Sequence, residues 1–175
     1  MTIPTSVRAA YATGSIATGV FSTVPGLLLL FYQTETLAIP PFWAGVALGA
    51  AKLWDAIVDP AMGVLSDRTR STSGRRRPWM LLGALTLPFA FLALFSAPTA
   101  TPDASFWWVL GCCALSTTCF SFFSVPYITM PAEMSDDPED TTSLIGWRMA
   151  ALTVGILLGG ALAPLIVRAA GGGRW

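Results

Sequence analysis

Residues 41–66 read PFWAGVALGAAKLWDAIVDPAMGVLS, an apolar run interrupted by three charged side chains, Lys52, Asp55 and Asp59. A helix of about 20 apolar residues crosses the hydrocarbon core of a bilayer, so this run is long enough to span a membrane. Each charge near the bilayer centre costs about 2.5 to 3.5 kcal/mol on insertion scales. Because a purely structural helix would not keep three such residues, the stretch predicts a transmembrane helix that has a function.

The composition of the whole chain agrees with a membrane protein. Of 175 residues, 54% are hydrophobic and 11% are charged, whereas soluble domains carry about 25% charged residues. The chain has no His, and Cys112, Cys113 and Cys119 show no Cys-x-x-Cys spacing, so no metal site, cofactor or enzymatic chemistry is expected. Ten basic and ten acidic residues give a net charge of zero, so nothing in the charge balance attracts nucleic acid.

Four further apolar runs complete the expected architecture. The predicted spans cover about residues 9–31, 41–66, 79–97, 106–130 and 144–167. The runs are continuous rather than alternating, which predicts helices and not the strands of a barrel. We therefore expect an all-α integral membrane protein in which residues 1–175 form a single membrane domain, with no soluble domain.

The basic residues predict the orientation. The loop 67–78 contains five arginines, whereas the neighbouring loops 33–40 and 98–105 contain no Lys or Arg, so the loop 67–78 is expected in the cytoplasm. The N-terminus is then also cytoplasmic, and five spans place the C-terminus outside. The acidic segment 133–140 falls on the cytoplasmic side and is expected to be a solvated loop.

Tryptophans and glycines indicate how the helices are anchored and packed. Four tryptophans lie where the predicted spans begin, as expected for anchors at the headgroup level: Trp43, Trp79, Trp107 and Trp108. Two pairs of glycines four residues apart predict close contacts between helices: Gly45 with Gly49, and Gly155 with Gly159.

The spacing of the charges within residues 41–66 predicts a cation site. Positions 52, 55 and 59 share one helical face, and two carboxylates this close cannot both stay ionised at low dielectric without a cation or a proton. Lys52 can neutralise one carboxylate, and the other would bind Na⁺, Li⁺ or H⁺. Pro60 frees the carbonyl of Ala56 for a further partner. The alternative is an internal salt-bridge network that joins helices.

Several segments closely resemble the glycoside/pentoside/hexuronide cation symporters, the family of melibiose permease within the major facilitator superfamily. The segments that match its second span and the following loop are 54–63 (WDAIVDPAMG), 66–70 (SDRTR) and 74–79 (GRRRPW). The segments that resemble its fourth span, acidic loop and fifth-span arginine are 125–127 (VPY), 131–134 (PAEM) and Arg148. The resemblance extends from about residue 45 to 149.

The resemblance implies a fold of twelve helices in two six-helix halves, with alternating access around a midplane site. This chain would form part of the N-terminal six-helix bundle, without the C-terminal half. The family's cation site falls on Asp55 and Asp59. The positions that match the loop latching the inward gate are Gly63, Asp67, Arg68, Arg75, Arg76 and Arg77, and their arginines also suit a purely topological role.

The solute site departs from the family pattern. Two acidic residues that hold sugar hydroxyls in melibiose-type members are replaced here by Gly19 and Ser124. A different sugar, a hexuronide or a non-sugar solute therefore remains open. The candidate residues of the solute pathway are Thr18, Gly19, Ser121, Ser124, Tyr127 and Arg148. Hydroxyls on apolar helices more often bond their own backbone, and Arg148 also suits a position at the interface.

Taken together, the sequence predicts the N-terminal fragment of a cation-coupled symporter, driven by Na⁺ or H⁺, for a sugar or similar small polar solute. The expected location is the bacterial inner membrane. Five spans are fewer than half of twelve, so a fragment or a truncated frame is expected. The alternative is a non-transporting or decayed membrane protein, such as an assembly or accessory factor, on the same scaffold.

Overall fold

The computed structural model describes residues 3–71, 74–98, 101–135 and 137–169, which form helices and contain no strand. The helices are α1 (Thr5–Phe31), α2 (Pro41–Arg68), α3 (Arg77–Leu94), α4 (Pro102–Thr129), α5 (Pro131–Met134) and α6 (Pro138–Ala169), and a π-helical turn (Tyr32–Thr36) follows α1. The expectation of an all-α protein is confirmed.

Prolines mark where several helices begin. Pro41, Pro102 and Pro138 each occupy the first position of a helix, where the missing N–H leaves no hydrogen bond unmade. The side chain of Thr101 caps α4 by accepting a hydrogen bond from the N–H of Ala104 at 3.3 Å. After α2, Gly74 adopts a φ of 98°, which favours glycine.

Among the described residues, four helical segments are long and apolar enough to cross a membrane: Thr5–Thr36, Arg77–Leu94, Pro102–Thr129 and Pro138–Val167. Helix α2, which carries Lys52, Asp55 and Asp59, is not among these four. That α2 also crosses the bilayer stays a prediction, as do the exact limits of five spans and the single membrane domain.

The chain divides into two compact units. The first contains α1 up to Leu29 together with α5 and α6, and the second runs from Leu30 to Met130. In the first unit, α1 and α6 run side by side in the same direction, because residues 16–20 of α1 lie against residues 152–159 of α6. A Cβ built on Gly19 would lie 2.5 Å from the carbonyl oxygen of Leu152, and one built on Gly155 would collide with the backbone of Ile16.

The two predicted glycine pairs have different outcomes. The close contact at Gly155 and Gly159 is confirmed, since a Cβ on Gly159 would lie 3.2 Å from the Cα of Val20. Apart from the neighbouring backbone of α2 itself, no described atom lies within 4 Å of a Cβ built on Gly45 or Gly49. The same spacing therefore forms a tight helix contact in one unit and an open surface in the other.

In the second unit, α4 contacts both α2 and α3. Helix α3 runs antiparallel to α4: the indole of Trp79 lies 5.6 Å from the ring of Phe122, and the Nε1–H of Trp108 donates to the carbonyl of Ala93 at 2.9 Å. Gly83 brings the two backbones together, because a Cβ there would lie 2.6 Å from the backbone nitrogen of Phe123. Helix α2 runs parallel to α4.

Candidate cation site

Helices α2 and α4 are joined by two polar contacts near the middle of their lengths. The Nε1–H of Trp54 donates to the hydroxyl of Thr118 at 3.0 Å, and the hydroxyl of Ser121 donates to Oδ1 of Asp59 at 2.5 Å. A third pair continues the same register, because a Cβ on Gly63 would lie 3.9 Å from Val125. Polar residues that are costly in a membrane therefore meet polar partners across this interface.

Asp55 has a weaker partner than Asp59. Its Oδ2 lies 3.4 Å from Nζ of Lys52, whose side chain is 81% exposed. Its Oδ1 is buried and has no hydrogen-bond partner among the described residues. Since a buried carboxylate oxygen without a partner is costly, this atom is placed to accept a cation or a water molecule.

The charges of this cluster do not cancel. Asp55 and Asp59 carry two negative charges when both are ionised, whereas Lys52 supplies one positive charge and Ser121 is neutral. The described residues contain no group of three or more His, Cys, Asp and Glu side chains that could hold a metal ion. Because one negative charge is left over when both carboxylates are ionised, the cluster suits a singly charged cation or a proton, held by carboxylate and hydroxyl oxygens.

The pairing of Ser121 with Asp59 was not anticipated from the sequence, which placed Ser121 on the solute pathway. Ser124 and Tyr127 lie on the same helix and are buried. The phenol of Tyr127 stacks on Phe123, with ring centroids 5.3 Å apart. The three α4 candidates therefore belong to the same unit as the cation cluster.

The other three solute-pathway candidates belong to the first unit. The hydroxyl of Thr18 donates to the carbonyl of Ser15 on its own helix at 2.9 Å, which matches the alternative considered for this residue. Gly19 is packed against the backbone of Leu152, so an acidic side chain would not fit there in this packing. Arg148 is half-buried on α6.

The loop after α2 is tied to the start of α3. Arg76 donates from Nη2 to Oδ1 of Asp67 at 3.0 Å, and the indole N–H of Trp79 donates to the hydroxyl of Thr69 at 2.8 Å. The remaining arginines of the predicted gate are exposed: Arg68, Arg75 and Arg77. Residues 72 and 73 of this loop lie outside the described residues. The gating role of the loop stays a prediction.

The expectation of a solvated acidic loop at 133–140 is wrong at Asp140. This residue is buried, and its Oδ1 accepts from Nη2 of Arg8 at 2.7 Å. Nη1 of Arg8 also donates to the hydroxyl of Ser143 at 2.7 Å. The ion pair joins the beginnings of α1 and α6, and Asp136 lies outside the described residues.

Comparisons with known proteins agree with the motifs. The family described as MFS/sugar transport protein matches residues 10–174. The inner membrane symporter YicJ of Escherichia coli is 31% identical over 93% of this chain and 35% of its own length. The putative glycoside/cation symporter YagG of the same species is 29% identical, over 89% of the chain and 34% of its own length. The sodium-dependent lysophosphatidylcholine symporter 1-B of Danio rerio is 31% identical, over 90% and 30%.

These three relatives are described as symporters. This chain spans about a third of their length, and the match to glycoside/cation symporters confirms the resemblance carried by the motifs. The chain therefore belongs to the MFS/sugar transport family, in which it corresponds to the N-terminal part of a glycoside-cation-type symporter.

Proposed function

We propose that this chain forms the cation-binding part of a symporter that couples Na⁺, Li⁺ or H⁺ to the movement of a sugar or similar small polar solute across the bacterial inner membrane. The hydrogen bond from Ser121 to Asp59 carries the proposal, together with the partnerless buried oxygen of Asp55. Relatives described as symporters, one of them sodium-dependent, support the same function.

The cluster provides a physical basis for coupling. Without a bound cation, the carboxylates of Asp55 and Asp59 repel each other, and Lys52 compensates only one of them through a long and exposed contact. A cation held by oxygens of Asp55, Asp59 and Ser121 removes the remaining negative charge. Movement of the cluster through a low-dielectric region then costs less, so the loaded state changes conformation more readily.

The remaining predicted positions have roles that depend on this site. The solute-pathway positions are proposed from the sequence and the resemblance alone: Thr18, Gly19 and Arg148 belong to the first unit, and Ser121, Ser124 and Tyr127 belong to the second. The contact between Asp67 and Arg76 would stabilise the closed inward gate, with the N-terminus in the cytoplasm.

Binding of ²²Na⁺ to the purified intact gene product tests the site without knowledge of the solute. We expect saturable binding, competed by Li⁺ or by low pH and not by K⁺. The variants Asp55→Asn and Asp59→Asn remove one charge each without changing side-chain size, and each should abolish the binding.

Glu35→Gln is the matched control, because Glu35 is exposed on the π-helical turn, outside this cluster. If both aspartate variants bound ²²Na⁺ normally and lost it normally at low pH, the assignment of the site would be overturned. If the unmodified protein bound no Na⁺ at any pH, the alternative of a non-transporting membrane protein on the same scaffold would be favoured instead.

A further inference from the structure

A second concave site lies at the N-terminal ends of α2 and α4, away from the mid-helix cation cluster. It is a cavity of about 290 Å³. The residues that line it include Pro40, Trp43, Pro102, Asp103, Phe106 and Trp107. All of them belong to the second unit, so the cavity is formed within one compact part of the chain.

The aromatic rings around this cavity meet nearly at right angles. The rings of Trp43 and Phe106 have centroids 5.6 Å apart and an interplanar angle of 71°. Phe106 and Trp107 are 5.4 Å apart at 73°. Rings arranged edge to face direct their electron-rich faces in different directions, so several faces can surround one small ligand. A single flat stacking surface would need parallel rings instead.

The cavity carries a negative charge. Among the described residues that line the cavity, Asp103 alone is titratable, and no described ion pair engages its side chain. Asp103 lies in the first turn of α4, where its full negative charge exceeds the positive partial charge of about half a unit at the helix N-terminus. The nearest loops in sequence, 33–40 and 98–105, contain no Lys or Arg.

The two indoles at the cavity are accessible to a ligand. The side chains of Trp43 and Trp107 are 50% and 68% exposed, and both border the cavity. Electron-rich faces next to an uncompensated carboxylate attract a cation that is large and weakly hydrated. A small, strongly hydrated ion such as Na⁺ gains less from aromatic faces, because it must first lose its water.

We propose that this cavity binds a quaternary ammonium group, with the aromatic faces of Trp43, Phe106 and Trp107 around the methyl groups and Asp103 as the counter-charge. The cavity volume is at the lower end of ordinary ligand pockets, which suits a tetramethylammonium-sized group. The group can belong to a free amine or to the headgroup of a choline lipid.

Fluorine NMR of the intact gene product, labelled with 5-fluorotryptophan in maltoside micelles, tests the site directly. Tetramethylammonium chloride is titrated against sodium chloride at equal ionic strength. Resonances of Trp43 and Trp107, assigned from their Trp→Phe variants, should shift saturably with tetramethylammonium only. The resonance of Trp147 on α6 should stay unchanged.

Two variants measure separately how the carboxylate and the aromatic rings contribute to the affinity. Asp103→Asn should weaken binding by up to about fivefold, because an exposed counter-charge is lost. Trp107→Leu should weaken it similarly, and because the indole is 68% exposed the fold should be retained. Glu35→Gln, an exposed acid outside the cavity, should leave the affinity unchanged.

Nanodiscs of phosphatidylcholine and of phosphatidylglycerol, without added amine, distinguish the two sources of the group. A shift in phosphatidylcholine alone identifies a lipid headgroup, and a shift only with free tetramethylammonium identifies a soluble amine. No saturable shift in any arm, or equal binding by Asp103→Asn, would overturn the proposal and leave the aromatic residues as interfacial anchors. Asp59→Asn should retain this binding, so failure here is distinct from failure of the Na⁺ site.

Discussion

The two units join parallel helices in opposite ways. Between α1 and α6, Gly19 and Gly155 bring backbones so close that no Cβ fits. Between α2 and α4, the contacts near the middle are hydrogen bonds from Trp54 to Thr118 and from Ser121 to Asp59. The first interface leaves no room for side chains, whereas the second holds the carboxylate of Asp59 against a neutral hydroxyl. One interface thus depends on the absence of side chains, and the other on hydrogen bonds between them.

The largest expected effect is at the glycine interface. Gly155→Leu inserts a side chain against the backbone of Ile16, which cannot move aside as a flexible side chain can. We expect destabilisation of about 3 kcal/mol or more, seen as loss of the monodisperse peak in detergent size-exclusion chromatography. Gly49→Leu is the control, because the described residues leave open space there. If Gly155→Leu and Gly49→Leu left the monodisperse peak equally intact, the backbone contact at Gly155 would not be needed for stability.

The second effect concerns the ion pair that joins the beginnings of α1 and α6. Arg8→Gln leaves the buried carboxylate of Asp140 without its charged partner. Because an uncompensated buried charge is strongly unfavourable, we expect a loss of about 3 kcal/mol, measured as a lower midpoint of thermal unfolding in detergent. The double variant Arg8→Gln with Asp140→Asn should recover part of the loss, and an unchanged midpoint in Arg8→Gln would contradict the buried pair.

The third effect tests the polar interface. Ser121→Ala removes a hydroxyl that donates to Asp59 at 2.5 Å. A hydrogen bond to a charged group contributes about 1.5 to 3 kcal/mol. The affinity for Na⁺ should therefore fall by about tenfold or more. The control is Ser116→Ala on the same helix, whose buried hydroxyl has no hydrogen-bond partner among the described residues. If both variants bound ²²Na⁺ equally well, Ser121 would have no part in the site.

These pairings show what the sequence could and could not predict. Apolar length and the cost of charge predicted the helices and identified Asp55 and Asp59 as a candidate site, because both follow from local composition. The pairing of Ser121 with Asp59 could not be predicted in this way, since it joins residues 62 positions apart and depends on the register of two parallel helices.

The glycine pairs illustrate the same physical limit. Gly45 with Gly49 and Gly155 with Gly159 have identical spacing, which creates a smooth helix face but does not specify what packs against it. At Asp140 the local sequence was misleading, because the acidic neighbours of this residue suggested a solvated loop. Arg8, far away in sequence, provides the charged partner that makes the burial of Asp140 possible.

The smallest expected effect on stability is at the loop that follows α2. Asp67 is 58% exposed while it pairs with Arg76, and exposed ion pairs contribute about 1 kcal/mol or less. Asp67→Asn should therefore lower the unfolding midpoint far less than Arg8→Gln. A loop that latches the inward gate would nevertheless change accessibility, so a cysteine-reactive probe at Ser71→Cys should react faster in the Asp67→Asn background. If Asp67→Asn instead caused a large loss of stability and left the reactivity of the cysteine unchanged, the contact between Asp67 and Arg76 would be purely structural. It would then have the same role as the buried pair of Arg8 and Asp140.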